Sequence, residues 1–181
     1  MTAEPVVLRR AKPADAAAIA RVHVETWRAA YAGLVPDAYL LGMTEAGQTN
    51  SWRRTLRQGG GANLVAETRG GQVVGFGSCG RPRLGNLPYQ GEVYALYVAI
   101  DWQGKGLGRQ LLGALFSQLR GTGVSDAYLW VLAGNPARFF YESMGGTRIA
   151  ERQESFAGTL LDEIAYGWSD LSQWQAKQDE R

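Results

Sequence analysis

One stretch constrains the fold more than any other. It runs Glu92-Val-Tyr-Ala-Leu-Tyr-Val98-Ala-Ile-Asp-Trp-Gln103-Gly-Lys-Gly106-Leu-Gly108-Arg109 and continues Gln-Leu-Leu-Gly-Ala-Leu-Phe-Ser-Gln-Leu-Arg120. The β-branched and aromatic run at its start reads as a strand. Leu107, Leu111, Leu112, Leu115, Phe116 and Leu119 recur at helical spacing and give the second half one apolar face. A glycine-rich basic loop joins the two. Bare backbone N–H groups and the positive end of a helix dipole then stand where an anion can dock. Three glycines at alternate positions let that backbone approach a ligand closely, and Lys105 and Arg109 add charge.

Spacing excludes two familiar phosphate loops. A P-loop needs Ser or Thr after its lysine and a glycine five residues before its last one, but Gly106 follows Lys105 and Ala99 stands five before Gly104. A dinucleotide fingerprint needs a glycine where Arg109 stands, and a carboxylate ending a strand some twenty residues later.

Composition narrows the class. A chain of 181 residues, 45% hydrophobic, suits one domain with a real core. A net charge of +2 does not indicate a nucleic-acid surface, and the local basic residues Arg81, Arg83, Lys105 and Arg109 suit a small polyanion better. One cysteine (Cys79) and one histidine (His23) make a disulfide or a zinc site unexpected, and Cys79 reads as a small buried residue. With no secretory layout and no apolar run near the ~18 residues of a membrane span, the expected compartment is the cytoplasm and no membrane partner is expected.

The pattern along the chain is mixed. Strands are expected near 6–9, 63–67, 72–78, 92–99, 126–132, 147–155 and 160–168, with the Arg69-Gly-Gly71 turn joining the second and third. Helices are expected from Pro13 to Gly33, over 36–41, 51–58 and 107–120, and from Pro136 to Met144. Period-two alternation puts Glu92, Tyr94, Leu96 and Val98 on one face of the fourth strand and Val93, Ala95 and Tyr97 on the other. A second segment stands out downstream, Asn135-Pro-Ala-Arg-Phe-Phe-Tyr141-Glu-Ser-Met-Gly145. By itself it reads as an N-cap, a first-turn proline and core aromatics.

The glycine loop resembles the acyl-CoA site of the GNAT superfamily of N-acetyltransferases, whose signature Gln/Arg-x-x-Gly-x-Gly/Ala matches Gln103-Gly-Lys-Gly106-Leu-Gly108. Asn135…Tyr141-Glu-x-x-Gly145 is similar to the same family's later segment, with the same six-residue step; Gly146 departs from a common Phe. The resemblance implies an α/β (α+β) domain over residues 1–168 and a polar tail over 169–181. Its sheet would be mixed, mostly antiparallel, splayed and six- to seven-stranded, flanked by about four helices. It implies acetyl-CoA as co-substrate and no metal. Gln103, Gly104, Lys105, Gly106, Leu107, Gly108 and Arg109 would hold the diphosphate, Leu96, Tyr97 and Val98 would pair with the pantetheine arm, and Asn135 would contact it. Val98 N–H would face the oxyanion.

Two residues would be catalytic. Tyr141 would protonate the leaving thiolate, as a phenol can. Glu92, eleven positions before Gln103, has the offset of the family's general base; a lysine-like amine must lose a proton before it attacks, and a carboxylate can take it. Trp27 and Tyr31, one helical turn apart, and Tyr94 would line the acceptor site. His23 reads as a helix residue with a satisfied hydrogen bond. The expected function is acetyl transfer to the primary amine of a small molecule. The alternatives are a protein N-terminus or lysine as acceptor, or a CoA-binding module without catalysis. A homodimer is possible in this family, with Trp168 and Trp174 available to it.

Overall fold

The computed structural model describes residues 5–174. In chain order the elements are β1 (Val6–Arg10), a 3-10 turn (Pro13–Asp15), α1 (Ala16–Ala30), α2 (Asp37–Gly42), α3 (Glu45–Gln58), β2 (Gly61–Thr68), β3 (Val73–Gly80) and β4 (Gly91–Val98). A second 3-10 turn (Ile100–Trp102), α4 (Leu107–Gly121), β5 (Ala127–Leu132), α5 (Ala137–Ser143), β6 (Thr147–Phe156) and β7 (Thr159–Trp168) complete it. The seven strands form one sheet in the order β1-β2-β3-β4-β5-β7-β6, and β4–β5 is its one parallel pair. The mixed, mostly antiparallel sheet is as expected. Six α-helical segments are present among the described residues, the last a single turn over 171–174, against about four expected. α3 begins six residues earlier than its sequence pattern suggested, because Thr44 accepts a hydrogen bond from the Gly47 N–H (3.1 Å) and caps it there.

Helices cover both faces. α1 sets Ile19 and Val22 against Val74 and Phe76 of β3. α4 buries Leu112, Leu115, Phe116 and Leu119 on the opposite face with Cys79, Val93 and Leu129. Each such leucine contributes about 1.5–3 kcal/mol on leaving water, so the apolar stripe of α4 is a main tether of the sheet's centre.

Two irregularities shape the middle of the sheet. β4 and β5 pair only at Gly91–Ala127 and Glu92–Tyr128; beyond that β4 stays with β3 while β5 stays with β7 as far as Leu132–Glu163. The strands part like a fork, with Glu92 at its apex. The second irregularity is a bulge at Tyr94, since Cys79 pairs with Val93 but Ser78 pairs with Ala95. One extra residue reverses the alternation after it. The expected face assignment is therefore corrected: Tyr97 shares the α1 face with Glu92, while Val93 and Leu96 pack towards α4.

The packed core also runs past residue 168. Leu171 and Trp174 are buried beside Trp168 and Phe116, and the Trp168 and Trp174 indoles both donate to the Met144 carbonyl, at 3.0 and 2.6 Å. The two tryptophans expected to be available to a dimer are thus corrected to core residues of their own chain. The rest of the expected polar tail, 175–181, lies outside the described residues. Among the described residues no helix is long and apolar enough to cross a membrane.

Candidate active site

The glycine loop ends at the start of α4. Gly106 is the N-cap, in left-handed conformation (φ 81°), and Gly104 shares that region (φ 71°). A Cβ at either position would meet nothing within 4 Å, so conformation and not crowding demands glycine there. No side chain caps the helix, and its first backbone bond is Gln110 N–H to Gly106 C=O. The N–H groups of Leu107, Gly108 and Arg109 are left without an intrahelical acceptor at the positive end of a 15-residue helix. The side chains around them divide the work. Gln103 donates to the Val98 carbonyl (3.0 Å) and ties the loop to the end of β4. Lys105 lies over the Trp102 ring, and Leu107 is buried, so only its backbone faces the loop. Gly108 lies under Phe140, which a Cβ would approach to 3.3 Å.

The register of β4 shows which of its groups face the fork. Ala99 N–H donates to Val74 C=O (2.8 Å), which makes Gly75–Val98 a non-bonded antiparallel pair. The N–H and C=O of Val98 therefore point away from β3. By the two-residue repeat those of Leu96 do too, whereas Tyr97 bonds to Phe76 across β3. The N–H and C=O of Leu96 and the N–H of Val98 thus face the gap that β5 leaves open, while the Val98 carbonyl is held by Gln103.

Hydroxyl groups gather near this gap. The Tyr31 and Tyr97 oxygens stand 3.4 Å apart. Burial raises the Tyr31 phenol above its usual pKa, and hydrogen bonding to Tyr97 and Asn135 opposes that rise. Tyr141 is 8% exposed; burial, and then the charge Tyr31 would carry, push its pKa well above 10. It stays a protonated donor throughout the neutral range. Asn135 is buried and its Oδ1 accepts the Ala137 N–H (2.9 Å), starting α5 and so placing Tyr141 one and a half turns on. His23 stacks on Tyr97 and its Nδ1 accepts from Trp52 Nε1 (3.0 Å). Burial lowers its pKa to about 4, so it is neutral at pH 7.

The other wall is aromatic. Trp27 meets Tyr31 edge-on (4.7 Å), and Phe156 from the end of β6 packs on Tyr39 (4.6 Å) and Trp27 (6.0 Å). Leu34 and Leu161 join the same cluster. Arg28 holds α1 to α2 by donating to the Leu40 and Met43 carbonyls. Trp27 Nε1 is buried without an acceptor among the described residues.

Glu92 and Tyr94 are placed differently from Trp27 and Tyr31. Tyr94 donates to the Arg81 carbonyl (2.5 Å), and its ring carries the Arg83 guanidinium at 4.8 Å. Glu92 is 2% exposed and accepts from Arg83 N–H (2.8 Å), Nε (3.0 Å) and Nη2 (2.6 Å) and from the Tyr128 hydroxyl (3.3 Å).

Comparison with known proteins identifies the arrangement. The acetyltransferase (GNAT) family matches residues 22–146. The chain belongs to this family. It is 36% identical over 167 residues to the uncharacterised N-acetyltransferase YuaI of Bacillus subtilis, covering 92% of this chain and 95% of that one. A Salmonella typhimurium protein described as an acetyltransferase, yncA, solved with its cofactor acetyl-CoA, superposes with a TM-score of 0.67 at 26% identity over 92% and 94% of the chains. A partial match, covering 48% of this chain and 51% of the relative, is the L-methionine sulfoximine/L-methionine sulfone acetyltransferase of Pseudomonas aeruginosa, at 38% identity.

In this GNAT chain, then, the fold brings the glycine loop, the free edge of β4, Asn135, Tyr141, Trp27 and Tyr31 to one region, and it anchors Glu92 and Tyr94 against the 81–90 loop. Sequence reasoning passed over Tyr39, Phe156, Tyr128 and the partnership of Arg83 with Glu92. Arg83 was visible only as local positive charge. Nothing local marks Phe156, which reaches Tyr39 across 117 positions of chain.

Proposed function

We propose that this acetyltransferase moves the acetyl group of acetyl-CoA directly onto the primary amine of a small molecule. The observation that carries this reading is the fork: beyond Glu92, β4 offers an unpaired edge that leads to the uncapped start of α4. Backbone N–H groups of residues 107–109 donate to the diphosphate, and the N–H and C=O of Leu96 pair with the pantetheine arm as an added strand would. The empty space around Gly104 and Gly106 gives the diphosphate room. Asn135 stands beside the arm.

The chemistry follows from what the side chains can donate. The amine nitrogen bonds to the thioester carbon and the C–S bond breaks. Free N–H groups of β4, Val98 first among them, face the oxyanion that forms between those events. The sulfur leaves as a thiolate and takes the proton of Tyr141, whose buried phenol is a donor at neutral pH. The amine attacks in its neutral form, its ammonium proton having gone to solvent. The proton the nitrogen sheds on acylation passes through water to the Tyr141 phenolate and restores the phenol, so atoms and charge balance.

The acceptor class rests on the aromatic wall. An extended peptide needs a long open groove. Here the β6–β7 hairpin is closed onto α1 and α2 by Phe156 against Tyr39 and Trp27, and by Leu161 within the same cluster as Leu34. An acceptor side walled off in this way suits a compact amine better than an extended peptide. The test is release of free thiol from acetyl-CoA with a panel of small amines, amino acids, polyamines and short peptides. Release stimulated by a small amine and lost in Tyr141→Phe supports the reading. Stimulation by peptides alone overturns the acceptor class, and failure to bind acetyl-CoA overturns the whole.

A further inference from the structure

Glu92 sits where a general base of this family would be looked for, yet its carboxylate is already fully engaged. Two oxygens receive four donors: the Arg83 backbone N–H, two nitrogens of the Arg83 guanidinium, and the Tyr128 hydroxyl. At 2% exposure no lone pair faces an open space where an amine, or a water carrying its proton, could stand. Two guanidinium nitrogens on Oε1 and the backbone N–H of the same arginine on Oε2 are instead charge-assisted bonds of a structural tie.

What the tie holds is the loop over residues 81–90. That loop leaves the end of β3 and crosses the face of the sheet that carries Tyr128, Trp130 and Leu132, the last of which packs in the α1–α2 cluster. Its attachments are few. Arg81 accepts from Tyr94, Arg83 binds Glu92 and lies over the Tyr94 ring, Tyr89 lies against Tyr128, and the Gln90 N–H donates to Asp126 (2.6 Å). Gly80, opposite Glu92, has no room for a Cβ, which would stand 2.5 Å from the Tyr94 hydroxyl. Glu92 is thus the central peg of a strap, set at the apex of the fork and on the same face as Trp27, Tyr31 and Tyr97.

We propose that Glu92 is a positioning residue: it pins Arg83, and through it the 81–90 strap, against the acceptor side of the fork, and it does not take the amine's proton. The proposal rests on the acetyl-transfer reading for its kinetic consequence but not for its structural one, so it is tested in two ways.

The first readout is hydrogen exchange of the intact protein. Glu92→Gln and Arg83→Gln should each speed exchange across 81–90 by about tenfold or more while leaving α4 unchanged. Unaltered exchange of the strap in both variants overturns the proposal, whether or not an acceptor is known. The second readout is steady-state thiol release with an acceptor found in the amine panel. Both variants should raise the acceptor KM about tenfold, keep kcat within about threefold, and combine in the double variant with no further loss. The acidic limb of the kcat profile should survive in Glu92→Gln. A kcat reduced about a hundredfold with that limb abolished in Glu92→Gln, beside a normal Arg83→Gln, would make Glu92 the base and end the proposal. Arg83 is a surface residue, 57% exposed, so its variant reports on the tie even where Glu92→Gln folds poorly. A wild type that binds acetyl-CoA but is stimulated by no acceptor counts against the transfer reading alone, since the exchange measurement still decides the tie.

Discussion

The two sides of the fork are built from different materials. The proposed donor side is made of backbone: the N–H and C=O of Leu96, the N–H of Val98, N–H groups at the start of α4, and two glycines held at positive φ. The proposed acceptor side is made of side chains, with Trp27 and Tyr31 from α1, Tyr39 from α2, Tyr97 from β4 and Phe156 from β6 arriving from four separate places in the chain. A backbone site recognises what its ligand's amides and phosphates have in common. A side-chain site can be recut one residue at a time. That contrast teaches why a fold can keep one co-substrate while its acceptor varies.

The sharpest challenge to the contrast is the one side chain the donor chemistry needs. Tyr141→Phe should lower kcat by about 10²-fold or more, as loss of a general acid does, with acetyl-CoA affinity changed less than about twofold by calorimetry. A large loss of affinity would show that the donor side leans on side chains after all. Next comes Gly106→Val, which forces a β-branched residue to φ 81°. The strain, about 1–3 kcal/mol, should emerge as acetyl-CoA binding weakened about tenfold or more, while the acceptor KM holds. On the other wall, Phe156→Ala should raise the KM of a small amine about tenfold and admit longer amines, leaving acetyl-CoA binding intact; unchanged selectivity would detach the β6–β7 hairpin from the acceptor.

The smallest effect concerns His23, beneath the acceptor wall. Burial lowers its pKa to about 4 from the usual 6.5, so the folded state resists protonation. The stability this contributes is complete above pH 6.5 and drains away as pH falls from 6.5 towards 4. Urea unfolding should show about 1–2 kcal/mol less stability at pH 5.5 than at pH 7 from this group, a difference that His23→Asn removes. An equal slope in both proteins would mean His23 is solvated.

Legibility in the sequence divided along the same line. The donor side was readable because its parts are contiguous and periodic: strand, glycines and the stripe from Leu107 to Leu119 lie within 28 residues. The mixed, splayed sheet came with the resemblance to the family, not with periodicity, and the strand order and the parallel β4–β5 pair were not read from the sequence. The bulge at Tyr94 could not be read, because a period-two pattern carries no mark of an inserted residue, and it reversed the expected faces of Leu96, Tyr97 and Val98. The engagement of Glu92 was equally hidden. Its partners Arg83 and Tyr128 stand 9 and 36 positions away, and nothing in the spelling of either says that they meet.

One earlier feature bears on how the enzyme can be handled. Trp168 and Trp174 hang on a single carbonyl, Met144, at the end of the short helix that carries Tyr141. The C-terminal stretch is therefore a mooring line for Tyr141, the proposed proton donor, and Gly113 on α4 is the notch in which Trp174 rides. Shortening the chain before Leu171 would slacken that line without touching any residue of the fork. On the proposed reading, an enzyme trimmed in this way would still meet acetyl-CoA on its glycine loop, but Tyr141 would be adrift.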